Sequence, residues 1–370
     1  MTPERRTLRS RLRAGVIGLG YGRAHIPGCQ AVGVEVAALC QRNRAQAESL
    51  ARRYGVPEVF DRWEDLVAEP ELDLVVIATP PHLHHAIALR ALKSGKHVLC
   101  EKPLAMNLRE AREMVEEAAR ASRVAVTGFN WRFTSGMQTL AGLTAEGALG
   151  RVFHVSATWL GSRFATPETP PSWRLDRTLA GTGCLGDMGV HLVDLIRWRV
   201  GEFVRVAARA GRAYPDRVTL RGTPADVEDY VTVLGELSTG AQATLKVSRA
   251  AHGYTFYHRL QLFGSAGALD YAIARGAGKR WFRGQLRQAL PGQPLHPVKL
   301  SGSLPKGLDP GDISEVIGGA TIAPLIKAMA RAIRRGEPVR PSFEDGLRAQ
   351  AVLDAVIEAA RSGTWVEVQA

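Results

Sequence analysis

The sequence is poor in cysteine and lacks any long apolar segment. Only 4 of its 370 residues are cysteine, none lies in a Cys-x-x-Cys pair, and no His/Cys cluster has zinc-ligand spacing. These absences argue against a disulfide scaffold and a zinc site, so we predict no metal centre. No run of 18 apolar residues occurs, so we expect no membrane-spanning segment. We therefore expect a globular protein with reduced thiols in the cytoplasm.

Acidic residues are outnumbered, and this imbalance favours an anionic partner. The chain has 48 Lys and Arg against 36 Asp and Glu, a formal net charge of +12. Most of the surplus lies in the basic tail 1–13, at +4, and the segment 275–287, at +5. The adjacent arginines of the tail suggest an export signal, but a strand pattern follows them directly. No nucleic-acid-binding motif is present, so we expect a small anionic ligand and no nucleic-acid partner.

The first third of the chain alternates apolar runs with helical patterns. The runs are apolar throughout, which is typical of parallel strands buried on both faces. Predicted strands are 14–19, 34–40, 74–78, 97–100 and 124–127, and predicted helices are 44–54, 82–93 and 108–121. Asn107 is placed to cap the last of these helices, and Gly95 to end the one before it. This order predicts an α/β Rossmann domain over residues 14–131.

The pattern changes after Phe133, where period-2 stretches replace most helices. Predicted strands are 152–159, 204–213, 229–236, 241–248, 259–263 and 268–273, with hairpin-type turns near 238–240 and 264–267. A helix is predicted over 186–200, and two more, over 322–335 and 343–361, close the chain. We therefore predict an α+β second domain over 132–370, built on a large, mostly antiparallel sheet.

A glycine-rich segment follows the first predicted strand. It reads Gly18-Leu-Gly20-Tyr21-Gly22-Arg23. Glycines at such a turn let the backbone approach a pyrophosphate, which then faces the N–H groups of the next helix. The third glycine comes one residue earlier than in GxGxxG, and Arg23 takes its place. We therefore predict a dinucleotide-binding loop in which Arg23 adds positive charge near the phosphates.

The end of the second predicted strand bears on the choice between NAD and NADP. NAD enzymes usually place an acid there for the ribose 2′-hydroxyl, but no Asp or Glu lies between Val36 and Ala47. Arg42 would instead pair with a 2′-phosphate, so we favour NADP over NAD; a solvated arginine at a helix start is the alternative. Thr79 and Pro80 follow the predicted strand 74–78, and they should border the dinucleotide.

Two groups of polar residues that could take part in a reaction lie at the predicted crevice. Lys102 follows Glu101 at the end of a buried strand, where an ammonium can stabilise charge on a substrate oxygen. Asp187 and His191 lie four residues apart after a glycine-rich stretch, so we expect them on one helix face. A neighbouring carboxylate would raise the pKa of the imidazole and suit it to act as a general base. A solvated loop lysine and a surface Asp–His pair are the alternatives.

Three motifs together resemble those of the Gfo/Idh/MocA oxidoreductases, the group of glucose-fructose oxidoreductase and inositol dehydrogenase. They are the glycine loop at 18–22, Gly-Lys-His-Val-Leu-Cys-Glu-Lys-Pro at 95–103 and Gly-Asp-Met-Gly-Val-His at 186–191. Thr-Pro-Pro-His-Leu-His at 79–84 is similar to the family's Thr-Pro-Asn-x-x-His, with Pro81 where Asn is common. Phe-Glu-Asp-Gly at 343–346 also matches, so the resemblance extends over nearly the whole chain.

The resemblance implies NAD(P)-dependent hydride transfer at a carbon of a sugar or polyol. It assigns His191 as the acid/base that takes the hydroxyl proton, Lys102 as the group that polarises the oxygen, and Asp187 as a residue that positions the substrate or tunes the other two. It also implies a homodimer or homotetramer through the second-domain sheet. The cofactor-binding residues expected are Gly18, Gly20, Tyr21, Gly22, Arg23, Arg42, Thr79, Pro80, His84, Glu101 and Lys102.

Four further residues are candidates for contact with the substrate. Asn130 and Arg132 lie where the last Rossmann strand passes into the second domain, and Trp173 and Arg174 precede the glycine-rich stretch. Tryptophan faces stack on sugar rings and arginines bind hydroxyls or carboxylates, although packing at a hinge explains the tryptophan equally well. Two other functions use the same fold: a non-catalytic dinucleotide-binding regulator and an NAD-dependent glycoside hydrolase.

Overall fold

The computed structural model describes residues 11–275, 281–300 and 305–369. Most of the predicted basic tail 1–13 and the middle of the segment 275–287 lie outside the described residues. The described chain is built around a six-stranded and a nine-stranded sheet, each with its own helices. The predicted fold class is confirmed: a Rossmann domain is followed by an α+β domain with a large sheet.

The first sheet is entirely parallel and is buried on both faces. Its strands are β1 (Arg13–Ile17), β2 (Glu35–Cys40), β3 (Glu58–Phe60), β4 (Leu74–Ile77), β5 (His97–Cys100) and β6 (Ala125–Thr127). Their order is β3-β2-β1-β4-β5-β6, the doubly wound order that binds ligands outside the carboxyl ends of the strands. The continuous apolar runs of β1, β2, β4 and β5 account for this burial.

Helices cover both faces of this sheet. They are α1 (His25–Gln30), α2 (Arg44–Tyr54), α3 (Trp63–Ala68), α4 (His84–Lys93) and α5 (Leu108–Ala121). The predicted cap of α5 is confirmed, because the Asn107 side chain accepts a hydrogen bond from the backbone N–H of Glu110. The sequence did not indicate β3 or α3. A three-residue, half-buried edge strand and a helix of six residues are too short to show a periodic pattern.

The second sheet has one covered face and one open face. Its strands are β7 (Val152–Leu160), β8 (Phe203–Gly211), β9 (Tyr230–Leu237), β10 (Gln242–Ser248), β11 (Tyr257–Gly264), β12 (Gly267–Ala274), β13 (Gln285–Ala289), β14 (His296–Pro297) and β15 (Val366–Glu367). All neighbours are antiparallel except β7 and β10. Buried and less buried residues alternate along β9 and β10, which is why a period-2 pattern was visible.

The remaining helices cover one face of the second sheet and join it to the first. They are α6 (Ser135–Ala145), α7 (Arg177–Ala180), α8 (Val190–Arg199), α9 (Ile313–Ile317), α10 (Ala323–Arg335) and α11 (Phe343–Ser362). The single helix predicted over 186–200 is divided in the structure. A turn of π-helix at Leu185–Gly189 precedes α8. Asp187 therefore lies in the π-helical turn and His191 in α8.

The helix predicted over 322–335 packs on the Rossmann domain rather than on the second sheet. Leu325, Ile326 and Met329 of α10 share one apolar core with β1 and α1. By contrast, α11 has residues in both cores: Phe343 packs with the Rossmann domain and Val352 with the second sheet. The second domain predicted over 132–370 therefore returns to the first domain through its closing helices.

Two stretches of helix are long and apolar enough to cross a membrane, contrary to the expectation from the sequence. They are Arg177–Arg199 and Ile313–Arg335. Both are mostly buried inside the protein, so the test for membrane-spanning helices is also met by helices of the core.

A buried ion network joins the passage between the domains to α8 and α11. The guanidinium of Arg132 donates to both carboxylate oxygens of Asp194, at 2.8 and 2.5 Å, and to Asp345 at 3.0 Å. All three side chains are at most 3% exposed. The guanidinium of Arg132 is thus bound by internal carboxylates, which argues against the expected contact with substrate.

Candidate active site

The glycine loop lies across the carboxyl ends of β1 and β4. Gly18 has a φ of 86°, and a Cβ atom there would lie 2.6 Å from the carbonyl oxygen of Ala78. Glycine is therefore required for the loop to cross the sheet edge. Gly20 is exposed, and a Cβ atom there would meet nothing within 4 Å. The backbone is thus open to a ligand at the place where a Rossmann fold holds a pyrophosphate, and the residues present fit a dinucleotide.

The side chains of this loop contact the rest of the protein. Arg23 is exposed, and its Nε donates to the hydroxyl of Ser314 at 2.9 Å, so its expected place at the phosphates is not the contact observed. The Tyr21 hydroxyl accepts a hydrogen bond from Nδ2 of Asn130 at 3.2 Å, and the same nitrogen donates to Thr321 at 2.7 Å. Asn130 is 1% exposed. Its expected contact with substrate is therefore replaced by a role in holding Tyr21.

The segment after β4 borders the same crevice. The hydroxyl of Thr79 is buried and has no hydrogen-bond partner among the described residues, as a group reserved for a ligand would be. Pro80 follows it in the turn. His84 is 1% exposed and lies 2.9 Å from each of two carbonyl oxygens, those of Thr79 and Pro103. The sequence predicted that His84 would bind the cofactor. In the structure, its ring joins two turns at the sheet edge instead.

The end of β2 carries one residue the sequence had singled out and one it had not. Arg42 is exposed just after the strand, and Gln41 Oε1 accepts a hydrogen bond from the backbone N–H of Leu19. Strand β3 pairs with β2, and the backbone N–H of Gln41 donates to the carbonyl of Phe60 at the last residue of β3. Asp61, which follows Phe60, therefore lies next to the end of β2. An acid and an arginine thus stand near the position of the adenosine ribose.

A buried His–Glu pair supports the segment that holds Lys102. Nε2 of His25 lies 2.8 Å from Oε1 of Glu101, and both residues are at most 5% exposed. The other carboxylate oxygen accepts from the backbone N–H of Lys102 at 3.3 Å. Glu101 therefore holds the backbone of Lys102 in position. His25 was not identified from the sequence, because only the fold brings α1 against the end of β5.

The structure brings Lys102 and Asp187 together across the crevice. Nζ of Lys102 donates to the backbone carbonyl of Asp187 at 2.6 Å and lies 3.6 Å from its Oδ1. Nε of Arg174 lies 3.7 Å from Oδ2 of the same carboxylate. Burial alone would raise the pKa of Asp187, but the positive charges of Lys102 and Arg174 outweigh it and lower the pKa to about 2. Asp187 is therefore ionised under all ordinary conditions.

The expectation that Asp187 raises the pKa of His191 is wrong. The expectation assumed that the carboxylate of Asp187 faces the imidazole, but the charged groups that approach this carboxylate are Lys102 and Arg174. Asp187 turns instead toward Lys102 and Arg174. Burial lowers the pKa of His191 well below its usual 6.5, and the positive charge of Lys102 lowers it further. His191 is therefore a neutral imidazole near pH 7.

Aromatic rings fix the orientation of His191. Its imidazole stacks on Trp159 with ring centroids 5.3 Å apart, and Trp131 and Phe129 meet it edge-on. Its Nδ1 is buried without a hydrogen-bond partner among the described residues. On β11, His258 stacks on Trp159 at 4.9 Å. Trp131 and Trp159 are 6% and 4% exposed, so they form the aromatic floor beneath the crevice.

The glycine-rich stretch before Asp187 packs directly on the start of β9. A Cβ atom on Gly183 would lie 1.9 Å from the backbone oxygen of Glu228, so no other residue fits there. The carboxylate of Glu228 is buried and accepts from the backbone N–H groups of Gly183 and Leu185, at 2.7 and 3.0 Å. Glu228 thus holds the turn that aims Asp187. The sequence offered no signal for it, since it lies more than 40 residues away.

Trp173 and Arg174, the other two predicted substrate residues, lie at the mouth of the crevice. The guanidinium of Arg174 lies over the ring of Trp173, 4.2 Å from its centroid, and both side chains are partly exposed. The backbone carbonyl of Arg174 accepts from Nη1 of Arg249 at 3.0 Å. Trp173 and Arg174 are therefore available to a ligand beside Asp187. No group of three or more metal-ligating side chains occurs in residues 11–275, 281–300 and 305–369.

A Rossmann sheet with an open phosphate loop faces a lysine, an ionised carboxylate and a neutral imidazole. This combination defines an NAD(P)-dependent oxidoreductase. Two family models match the chain: the oxidoreductase family with an NAD-binding Rossmann fold over residues 12–129, and the GFO/IDH/MocA C-terminal domain over residues 137–270. The chain belongs to the Gfo/Idh/MocA oxidoreductase family.

Individual relatives match most of the chain. Levoglucosan dehydrogenase of Pseudarthrobacter phenanthrenivorans is 31% identical over 389 residues, covering 96% of this chain and 98% of that protein. Myo-inositol 2-dehydrogenase of Thermotoga maritima is 30% identical over 261 residues, covering 70% and 74%. A solved structure of levoglucosan dehydrogenase in complex with NADH matches with a TM-score of 0.87 at 29% identity, covering 97% of this chain and 99% of that one.

Proposed function

We propose that this chain is a dehydrogenase that moves a hydride between NAD(P) and a hydroxyl-bearing carbon of a sugar or polyol. One observation supports it above all: Lys102, Asp187 and His191 meet in a crevice at the carboxyl edge of the Rossmann sheet. The relatives named levoglucosan dehydrogenase and myo-inositol 2-dehydrogenase act on substrates of this class. The fold and the site thus agree on the chemistry.

Each side chain has a separate task in this proposal. The dinucleotide supplies the hydride acceptor or donor when bound. His191, neutral because of burial, accepts the hydroxyl proton during oxidation and returns it during reduction. Lys102 donates a hydrogen bond to the reacting oxygen and stabilises its developing negative charge. Asp187, with a pKa near 2, holds the ammonium of Lys102 in place without competing for the proton.

Replacement of Lys102 tests the proposal. We expect Lys102→Met to lower kcat about a hundredfold or more in cofactor-linked oxidation of a sugar, because it removes the only ammonium that contacts Asp187 among the described residues. Absorbance at 340 nm reports the rate across a panel of sugars and polyols. Lys93→Met, at an exposed position of α4, is the matched control. Dinucleotide binding without turnover of any sugar by the wild-type chain would instead indicate a non-catalytic regulator.

Arg42 is the proposed determinant of cofactor preference. We propose that it pairs with the 2′-phosphate of NADP, which the lack of acid between Val36 and Ala47 permits, whereas Asp61 near the same edge opposes it. Arg42→Ala is expected to raise the Kd of NADP(H) about tenfold, since a charged hydrogen bond contributes about 1.5–3 kcal/mol, and to leave NAD(H) within about twofold. Titration of cofactor fluorescence measures both constants. Equal changes for the two cofactors would exclude the pairing.

The open face of the second sheet supports a proposal about assembly. It exposes Tyr230, Leu234 and Phe263, which are 48%, 49% and 36% exposed. We propose that a second copy of the chain covers this face in a homodimer or homotetramer. We also propose a cytoplasmic location, which agrees with four free, buried cysteines.

A further inference from the structure

Positive charge is in excess around Asp187. The charged side chains that interact in this region are Lys102, Arg163, Arg174, Arg217 and Arg249 on one side and Glu101, Asp187, Glu228 and Asp229 on the other. Even with Glu101 and Glu228 counted as ionised, 5 − 4 leaves an excess of +1. Asp229 is shared by Arg217 and Arg249 and is 3% exposed, so it is not available to the mouth of the crevice.

The arginines of this region also have hydrogen-bond donors that remain free. Arg249 is 2% exposed, and its Nη2 is buried with no partner among the described residues. Nε of Arg174 is buried without a hydrogen bond as well, and its 3.7 Å approach to Asp187 is an ion pair of long range. Buried donors without acceptors are costly. A ligand that brings acceptor oxygens would satisfy them.

Arg174 is held in a fixed orientation before any ligand arrives. Its guanidinium lies over Trp173, and its backbone carbonyl is held by Arg249. Arg249 is in turn fixed by a 2.9 Å bond to Asp229 and by the ring of Phe164, 4.3 Å from its guanidinium carbon. Arg163, adjacent to Phe164, is exposed and forms no ion pair with the described residues. The guanidinium of Arg174, held in this way, suits the paired oxygens of a carboxylate or phosphate.

We propose that the substrate of this enzyme is an anionic sugar derivative whose carboxylate or phosphate is bound by Arg174, with Arg163 adding charge at the mouth. The reacting hydroxyl then lies toward Lys102 and His191, and the anionic group toward Trp173 and Arg174. The inference rests on the proposed function and narrows its substrate class. A neutral sugar could accept hydrogen bonds from the arginines through its hydroxyl oxygens, but it would leave the excess of positive charge without a counter-charge.

Matched substrates test this inference. The wild-type enzyme is assayed with glucose, gluconate, glucuronate and glucose 6-phosphate as probes, each with NAD and NADP. We expect kcat/KM for at least one anionic probe to exceed that for glucose about tenfold or more, and its KM to rise with ionic strength. A preference for the carboxylates or for the phosphate identifies which group the site accepts. Higher kcat/KM for glucose than for every anionic probe would overturn the inference.

An arginine variant separates binding of the anion from the chemistry. Arg174→Gln is expected to raise KM for the preferred anionic probe about tenfold to a hundredfold, a change several times larger than any change it causes in KM for neutral sugars. Arg209→Gln, exposed on β8, is the matched control and should change nothing. If Arg174→Gln does not fold, Arg163→Gln replaces it in this test. Arg163 is exposed, and its replacement is expected to raise KM for the anionic probe by a smaller factor.

The outcomes distinguish this inference from the proposed function. Hydride transfer with sugars that is insensitive to Arg174→Gln and Arg163→Gln would overturn the anionic substrate and leave the dehydrogenase intact. Absence of hydride transfer from every sugar and polyol tested would remove the proposed function itself, and the inference with it.

Discussion

His191→Ala is expected to reduce kcat between about a hundredfold and about ten thousandfold, the range that a lost general base produces. His191 is 4% exposed, stacks on Trp159 and is neutral near pH 7 because burial lowers its pKa. Among the described residues it is the imidazole that interacts electrostatically with Lys102, whereas His258 behind it is fully buried.

The pH dependence gives a second readout of the same assignment. A base must be unprotonated, and the pKa of His191 in the folded enzyme lies well below 6.5. We therefore expect kcat/KM for oxidation to stay constant as the pH falls from about 8 to 6.5, and to decline only as it approaches the lowered pKa. An acid limb centred at or above pH 6.5 would contradict a buried, neutral His191.

Controls separate lost chemistry from lost structure. His296→Ala removes an exposed imidazole from β14 and should leave kcat unchanged. Dinucleotide affinity of His191→Ala should stay within about threefold of wild type, because His191 belongs to the second domain and not to the phosphate loop. A His191→Ala enzyme with normal turnover would transfer the role of base to another group.

The sequence predicted the Rossmann domain better than the arrangement of the site. Buried parallel strands such as β4 and β5 are apolar on both faces, so their position is readable from composition alone. The edge strand β3 is three residues long and half-buried, and it has no such signature. The residues of β3 matter for function all the same, because they bring Asp61 to the end of β2.

Motifs located the proposed catalytic groups but not their partners. Lys102 and Asp187 were predicted to share one crevice, and the structure brings them together. The contact of Asp187 with Arg174 could not be predicted from the four-residue spacing between Asp187 and His191. Arg249 reaches the site from a strand end more than 60 residues away, so only the folded sheet shows it. Position along the chain likewise placed Arg132 near the crevice without showing that it points inward.

Arg132→Ala is expected to lower the free energy of unfolding by about 3–5 kcal/mol, the usual cost of breaking a buried ion pair by removing one partner. The substitution leaves the carboxylates of Asp194 and Asp345 buried, close together and without their shared guanidinium. Asp345 also belongs to the capping box at the start of α11, so the loss extends to the helix that joins both cores.

Urea unfolding followed by circular dichroism measures the loss, with Arg361→Ala as the matched control. Arg361 forms an exposed pair with Glu358 at the other end of α11, and its removal should cost under about 1 kcal/mol. The double variant Arg132→Met/Asp194→Leu removes two of the three charges and should recover part of the stability lost by Arg132→Ala, because fewer unpaired charges remain buried. A small effect of Arg132→Ala, comparable to that of Arg361→Ala, would mean that the hinge does not depend on this network. A large loss that the double variant partly reverses would show that the cost comes from the carboxylates left buried without their guanidinium.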